Sequence, residues 1–220
     1  MERFNINLSN CLKGNKNVNI YFDNLIVAGE NPWELCVEVE WKDIGKLKIS
    51  SFELSDFWAL KDFWNNSLNY SSKNLFPLFP VGDILERAIA NHYKNHKNKR
   101  DIIFNSWLLK DGTLNEDFTN EIIGHFFINR IDTEPEPGLV VADRYQGKKL
   151  GTFFIILMIY ITKILKKKTI YIRTDINNKR SFDLYEKIGF KHIKDTPLEI
   201  PVVGYNSIIR ELKMDLRNFK

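Results

Sequence analysis

Apolar and polar residues alternate with a period of two in the first part of the chain. Over residues 33–41 every second residue is apolar, which is typical of a strand with one buried face. A second strand is predicted over residues 18–22, and a cluster of turn-forming residues around Asn31 separates the two. The pattern therefore predicts a β hairpin within residues 1–45, which extends a sheet or forms a subunit contact.

In the rest of the chain, segments whose apolar residues have helical spacing alternate with short apolar runs. Phe57, Leu60 and Trp64 recur at helical spacing behind Ser55, a favourable N-cap residue. Further helices are predicted over residues 83–93, 150–165 and 179–188, with Gly189 as the C-cap of the last. Strands are predicted over residues 47–52, 102–109, 121–131, 139–142, 169–174 and 207–216. This order predicts an α/β fold with helices packed on a mixed sheet.

The composition is that of a globular protein. Of the 220 residues, 44% are hydrophobic and 13% aromatic, which is enough apolar surface for a sizeable core. The length favours one domain with an extension. We therefore predict a β extension over residues 1–45 and a main domain over residues 46–220.

Charge, cysteines and apolar runs narrow the functional classes. The 32 basic and 28 acidic residues leave a net charge of +4, which does not require a nucleic-acid or membrane partner. Cys11 and Cys36 lack metal-ligand spacing, which favours a reduced protein. The longest apolar run, residues 153–161, is far shorter than the roughly 20 residues of a membrane-spanning helix. Since the first residues also lack the apolar core of a secretory signal, we expect a cytoplasmic location.

An apolar strand, a glycine-bearing turn and a helix start follow one another directly between residues 139 and 152. Such a turn directs free backbone N–H groups and the positive helix end toward one point, which favours a phosphate or pyrophosphate. Gly147 and Gly151 allow close approach, and Lys148 and Lys149 add positive charge. Taken alone, the turn fits plain chain reversal equally well. It matches neither the Walker loop nor the dinucleotide fingerprint, which disfavours a nucleoside-triphosphate enzyme.

Two segments resemble the GNAT superfamily of acetyltransferases. Residues 146–151 resemble its cofactor loop, written Arg/Gln-x-x-Gly-x-Gly/Ala, with Lys149 in the place of the middle glycine. Residues 178–190 resemble its segment Asn-x-x-Ala-x-x-Leu-Tyr-Glu-Lys-x-Gly-Phe, with Ser181 in the place of alanine. Both occur in the family order with a strand between them. The resemblance implies a GNAT-like α/β fold whose mixed, largely antiparallel central sheet is flanked by helices.

The resemblance also implies an activity and a cofactor site. We expect an N-acetyltransferase that moves the acetyl group of acetyl-CoA to a primary amine by direct attack in a ternary complex. The pantetheine would lie between the strand ending near Ala142 and the strand over residues 169–174. The implied cofactor contacts are Leu139, Val140, Val141, Gln146, Gly147, Lys148, Lys149, Leu150, Gly151, Thr152, Asn178 and Ser181. The acceptor, a small amine or a protein lysine or N-terminus, does not follow from the sequence.

Three residues are candidates for proton transfer. The place of Tyr185 in the matched segment favours a proton donor to the leaving thiolate over a core aromatic. An alkylamine with a pKa of about 10.4 is protonated at neutral pH, so a base is expected, and Glu136 and His125 are candidates. Their more ordinary interpretations are an exposed loop carboxylate and a hydrogen-bonded sheet residue. His92 and His96 lack a third metal ligand, so we expect surface positions for them and no metal.

Two other functions remain open. A non-catalytic CoA-binding or regulatory module would keep the loop without transferring an acyl group. A basic interaction protein would bind nucleic acid through Lys148, Lys149 and residues 166–168, with strong salt dependence and no effect of CoA. The run 166–168 is more typical of a solvated helix end. We therefore expect an enzyme with an amine acceptor, without a membrane or nucleic-acid partner, and with a homodimer as a possible assembly.

Overall fold

The fold contains five helices of ten or more residues within the part of the chain that the structure describes. The computed structural model describes residues 4–14, 22–69, 72–73, 75, 83–109, 120–201 and 204–219. The helices are α1 (Phe4–Gly14), α2 (Phe57–Asn66), α3 (Asp83–Lys97), α4 (Leu150–Ile164) and α5 (Lys179–Ile188). None of the described helices is both long enough and apolar enough to cross a membrane.

Six strands form an antiparallel sheet in chain order. They are β1 (Phe22–Ala28), β2 (Cys36–Trp41), β3 (Gly45–Ser51), β4 (Ile102–Leu108), β5 (Glu121–Asn129) and β6 (Glu136–Val141). Each strand pairs with the next, and β6 lies at the edge of this sheet. The order places the glycine-bearing turn, which follows β6, at that edge.

A second sheet of three strands begins next to β6. It consists of β7 (Thr169–Asp175), β8 (Lys191–Ile200) and β9 (Tyr205–Asp215), in the order β7, β9, β8. The N–H group of Tyr171 donates to the carbonyl of Pro135, just before β6, at 2.9 Å. Strands β6 and β7 thus touch at one end but belong to different sheets, which agrees with the separation that the family resemblance implies.

Helices cover both faces of the six-stranded sheet. Helices α1 and α4 pack on one face, where α4 buries eleven residues, including Phe154 and Leu157. Helices α2 and α3 pack on the other face, around Phe52, Phe63 and Trp64. The mixed, largely antiparallel α/β fold that was predicted is confirmed.

The first 45 residues differ in detail from the predicted hairpin. Strands β1 and β2 pair as a hairpin and extend the sheet through β3, and Val37 is buried in the same core as α4. The described part of β1 begins at Phe22, the last residue of the strand predicted over residues 18–22, and the rest of that prediction lies outside the described residues. Helix α1 was not predicted. The division into an extension and a main domain remains a prediction.

Three further elements differ from the sequence-based expectation. Ser55 lies in a 3-10 turn (Leu54–Asp56), whose capping box is formed by Glu53 and Asp56, and is not the N-cap of α2. Helix α3 continues to Lys97. Strand β8 was not predicted, because nearly all its residues are exposed and no buried face imposes an alternating pattern. Residues 110–119, between the strands predicted over residues 102–109 and 121–131, lie outside the described residues.

Candidate functional site

The turn after β6 reverses the chain with two residues of positive φ. Gly147 has a φ of 83° and Lys149 has a φ of 64°, and α4 begins at Leu150. The first N–H groups of a helix have no partner within the helix, and α4 has no acidic residue in its first turn. The geometry therefore presents backbone donors and a positive helix end, as an anion site requires.

Arg180 lies in front of this turn. Its Nη1 donates to Oε1 of Gln146 at 2.8 Å, and its Nη2 lies 3.6 Å from the position a Cβ atom would take on Gly147. Arg180 is exposed, so it is accessible to a ligand. The sequence alone does not single out Arg180, since a charged residue in the first turn of a helix is usually solvated. Only folding brings it beside the turn.

The two lysines of the turn are oriented differently. Lys148 donates from Nζ to the carbonyl of Asp43 at 3.2 Å, and its own carbonyl accepts from Nε1 of Trp41 at 3.1 Å. Lys149 is exposed and adopts the left-handed conformation, and it stands where the resembling loop has its middle glycine. Both lysines add positive charge near the turn, but the ammonium of Lys148 is directed toward Asp43.

Replacing Lys149 by glycine is expected to stabilise the protein slightly. The left-handed conformation costs a residue with a Cβ atom about 1–2 kcal/mol, and the added backbone freedom of glycine offsets roughly half of this. Urea unfolding should therefore show a gain of about 0.5–1 kcal/mol. Lys148→Gly is the matched control and should destabilise the protein, because Lys148 has no positive φ. A loss of stability in Lys149→Gly would contradict the strain at this position.

Gln146 holds the turn to the protein through its side chain. Its Nε2 donates to the carbonyl of Val141 at 3.2 Å and to Oδ1 of Asp143 at 2.8 Å. The Asp143 carboxylate also accepts from the N–H group of Asn69 at 2.5 Å and from the hydroxyl of Ser72 at 2.6 Å. Asp143, which the sequence analysis did not identify as a site residue, thus joins the turn to the segment that follows α2.

Gly151 lies where α4, β6 and α5 meet. A Cβ atom built there would lie 3.6 Å from Leu139 and 3.8 Å from Leu184, both ordinary van der Waals contacts. This position therefore accommodates glycine or alanine. The other predicted contacts of this region are the buried Val140, Val141 and Leu150 and the half-buried Thr152.

Asn178, Ser181 and Tyr185 interact within α5. Asn178 is the N-cap of the helix, because its side chain accepts from the N–H group of Ser181 at 3.2 Å. Tyr185 is buried, and its ring lies 6.0 Å from that of Phe190. Burial raises the pKa of Tyr185 to about 12, and a hydrogen bond with the side chain of Ser181 opposes that rise. Gly189 is the C-cap, as predicted.

Glu136 lies at the start of β6, at the opposite end from the turn. Its half-buried carboxylate pairs with Arg130 and lies 3.5 Å from Nη1 of Arg173 on β7. Arg173 also pairs with Glu211 at 3.3 Å. Glu136 is therefore an ion-paired residue between the two sheets, and its alternative interpretation as an exposed loop carboxylate is wrong.

His125 lies in β5 and is completely buried. Its Nδ1 lies 2.9 Å from Oδ1 of Asn105, whose Nδ2 donates to the carboxylate of Asp56 at 3.0 Å. Since the carboxylate fixes the orientation of the amide, Nδ1 of His125 is the donor and Nε2 carries the lone pair. Burial lowers the pKa of His125 well below its usual value, and the nearby His92 lowers it further. His125 is therefore a neutral, hydrogen-bonded sheet residue.

His92 and His96 both lie in α3. The expectation that they are surface residues is wrong. His96 is buried and accepts from the N–H group of Ile103 at 3.1 Å. His92 packs against His125, and burial lowers its pKa to about 4. Over the described ranges, no group of three His, Cys, Asp or Glu side chains is arranged to hold a metal ion.

The structure thus brings together only some of the predicted catalytic and cofactor-binding residues. The turn, the end of β6 and helix α5 meet at Gly151 and Arg180, so the predicted cofactor contacts form one region. Glu136 is at the far end of β6. His125 shares with Val140 the sheet face covered by α2 and α3, opposite the face on which α4 packs.

Comparison with known proteins gives a family match. A family model described as an acetyltransferase (GNAT) domain matches residues 46–191. No match was found among curated protein sequences.

Several solved structures share the fold. A spermidine N-acetyltransferase from Vibrio cholerae, in complex with CoA and spermine, is 19% identical with a TM-score of 0.61, over 79% of this chain and 97% of its own. A ribosomal-protein-S5-alanine acetyltransferase from Vibrio fischeri is 12% identical with a TM-score of 0.62, over 79% and 95%. The GNAT domain of PAT from S. lividans is 14% identical with a TM-score of 0.62, over 82% and 96%. At these identities the similarity shows the fold alone.

Proposed function

Because the chain belongs to the GNAT acetyltransferase family and is thus an acyltransferase, we propose that it acetylates a primary amine with acetyl-CoA. The amine attacks directly while both substrates are bound. The observation that carries this proposal is the turn at Gly147 and Lys149, which directs the start of α4 toward one point beside Arg180. These backbone donors and cationic groups suit the pyrophosphate of CoA.

The residues of the turn fit the cofactor at its charged end. The backbone N–H groups between Gly147 and Thr152 would bind the pyrophosphate, and Lys149 and Arg180 would balance its charge. The N–H groups of Leu139 and Val141 on β6 would bind the pantetheine and polarise the carbonyl of the thioester. Acetyl-CoA itself supplies the acetyl group in activated form. Asn178 and Ser181, which cap and stabilise α5, contribute by holding Tyr185.

The proposed proton transfers use Tyr185 and one of two bases. Tyr185, with its pKa of about 12, keeps its proton at physiological pH and donates it from Oη to the departing sulfur. Glu136 or His125 would accept the proton of the amine. Glu136 is paired with Arg130 and Arg173, whereas His125 is neutral and donates from Nδ1 to Asn105. Measuring kcat for Glu136→Gln and His125→Gln decides between them.

The acceptor is proposed as a class only. The similar solved structures are named for spermidine and for a ribosomal-protein alanine, so polyamines and protein amines are the first candidates, the latter an N-terminus or a lysine. The test is an acceptor screen that measures CoA release while amines of each class are presented to the purified protein. CoA binding without release for any class would instead support the non-catalytic module.

Acetyl-CoA is expected to raise the melting temperature of the protein. At a concentration 100-fold above its Kd, a ligand stabilises the folded state by about 2.7 kcal/mol. For a chain of this length that corresponds to roughly 5–10 °C in a melting assay. Acetate at the same concentration, which lacks the pyrophosphate, is the control and should give no shift. If millimolar acetyl-CoA and CoA both leave the melting temperature unchanged, the cofactor assignment is wrong.

A further inference from the structure

The cofactor turn is held by residues outside the family match. The match begins at residue 46, yet Trp41 and Asp43 both bond to Lys148 in the turn. These contacts join positions more than 100 residues apart in the chain. The N-terminal strands therefore support the proposed cofactor site in addition to extending the sheet.

Trp41 is fixed in place at the end of β2. It is 4% exposed, and its ring lies 5.3 Å from that of Phe153 in the first part of α4. Its indole Nε1 can only donate, and it donates to the carbonyl of Lys148 at 3.1 Å. Because packing fixes the ring, the direction of this hydrogen bond is fixed as well.

The bond from Trp41 determines the direction of a donor in the turn. The carbonyl of Lys148 and the N–H group of Lys149 belong to one planar trans peptide, so they point in opposite directions. A carbonyl held toward Trp41 therefore directs the N–H group of Lys149 away from the core. A second hydrogen bond also holds Lys148, since its Nζ donates to the carbonyl of Asp43 at 3.2 Å. The backbone at Lys149 has a positive φ, which such anchoring helps to maintain.

We infer that Trp41 is a positioning residue for CoA binding, which it supports by orienting the peptide between Lys148 and Lys149 toward the pyrophosphate. The inference rests on the proposed function, because it assumes that the turn binds CoA. It also assigns Lys148 to anchoring of the turn through Asp43, so the charge that the pyrophosphate meets comes mainly from Lys149 and Arg180.

The test is the Kd of CoA, measured by calorimetry, for wild type, Trp41→Phe and Trp33→Phe. Phenylalanine keeps the aromatic packing of Trp41 but removes its donor. Trp33 is the matched control: it lies in the same N-terminal region and donates from Nε1 to the carbonyl of Asp101 at 2.9 Å, away from the turn. We expect the Kd to rise about 5-fold in Trp41→Phe, the effect of one hydrogen bond, and to stay unchanged in Trp33→Phe.

The melting temperature measured without ligand distinguishes a positioning role of Trp41 from a general contribution of Trp41 to stability. A merely structural role for Trp41 would lower the melting temperature without CoA and leave the Kd of CoA at the wild-type value, which would overturn the inference. An equal rise in Kd for both tryptophan variants would overturn it as well. If wild type does not bind CoA at all, the proposed function fails first and the inference falls with it.

A double-mutant cycle with Lys148→Met tests the anchoring of the turn independently. If Lys148 and Trp41 hold the same peptide, the combined variant should weaken CoA binding by less than the product of the two single effects. Fully multiplicative effects, with the Lys148 effect disappearing at high salt, would show that Lys148 binds the phosphate directly. That result would overturn the assignment of Lys148 as an anchor.

Discussion

Replacement of Tyr185 by phenylalanine is expected to lower kcat by about 10²- to 10⁴-fold, the usual contribution of a general acid. The Kd of acetyl-CoA should stay within about 2-fold of wild type, because Tyr185 packs in α5 and not at the turn. A change confined to kcat identifies an interaction made during the reaction and not in the initial complex.

The environment of Tyr185 supports this role. Its hydroxyl keeps its proton because burial raises its pKa to about 12, whereas a free thiol has a pKa of about 8.5. Titration of Tyr185 itself should therefore cause no loss of activity below about pH 12, since the raised pKa keeps the neutral form throughout that range. Phenylalanine retains the ring contact with Phe190 and removes only the hydroxyl bonded to Ser181.

A variant at a half-buried tyrosine controls for the loss of a hydrogen-bonded phenol. The hydroxyl of Tyr205 donates to the carboxylate of Asp175 at 2.5 Å, outside the proposed cofactor turn. Tyr205→Phe should lose this hydrogen bond and some stability but retain kcat within a few-fold. If Tyr185→Phe turns over a validated acceptor at the wild-type rate while chemistry is limiting, Tyr185 is only structural and water or another residue protonates the thiolate.

Local sequence signals predicted the turn and helix α5 well. Gly147 and Gly189 adopt positive φ, and the helix between residues 179 and 188 has the predicted bounds, because caps and turns depend on neighbouring residues. Helix α1 was missed although Phe4, Leu8 and Leu12 recur every four residues and are buried. The asparagines and the serine between these apolar residues are poor helix formers, and packing on the sheet overrides that preference.

The contacts that complete the site could not be read from the sequence. Arg180 and Trp41 reach the turn from other elements, and Asp143 joins the turn to the segment after α2, so their roles depend on tertiary packing. The same limit applies to His125, whose neutral state follows from burial and from the amide of Asn105. Residue type and spacing identified candidate groups, whereas only the fold showed which of them lie beside the turn.

Gly147→Asp is expected to abolish the stabilisation by acetyl-CoA, with an affinity loss of at least about 100-fold. Aspartate is among the residues that tolerate a left-handed backbone best, so the folded state should survive a φ of 83°. Its carboxylate, however, would lie next to Arg180, whose Nη2 is 3.6 Å from the Cβ position. It would neutralise this arginine and repel the pyrophosphate, and both effects weaken the binding of acetyl-CoA.

Alanine variants separate the charge effect from the backbone effect. Gly147→Ala adds a Cβ atom at positive φ, so unfolding experiments should show a loss of about 1–2 kcal/mol, while part of the acetyl-CoA stabilisation remains. Gly151→Ala is the matched control, since its Cβ atom would make only ordinary contacts with Leu139 and Leu184, and both stability and binding should stay near wild type. The melting shift with saturating acetyl-CoA is the measurement for all three variants. A full shift in Gly147→Asp would mean that the pyrophosphate does not bind beside Gly147 and Arg180.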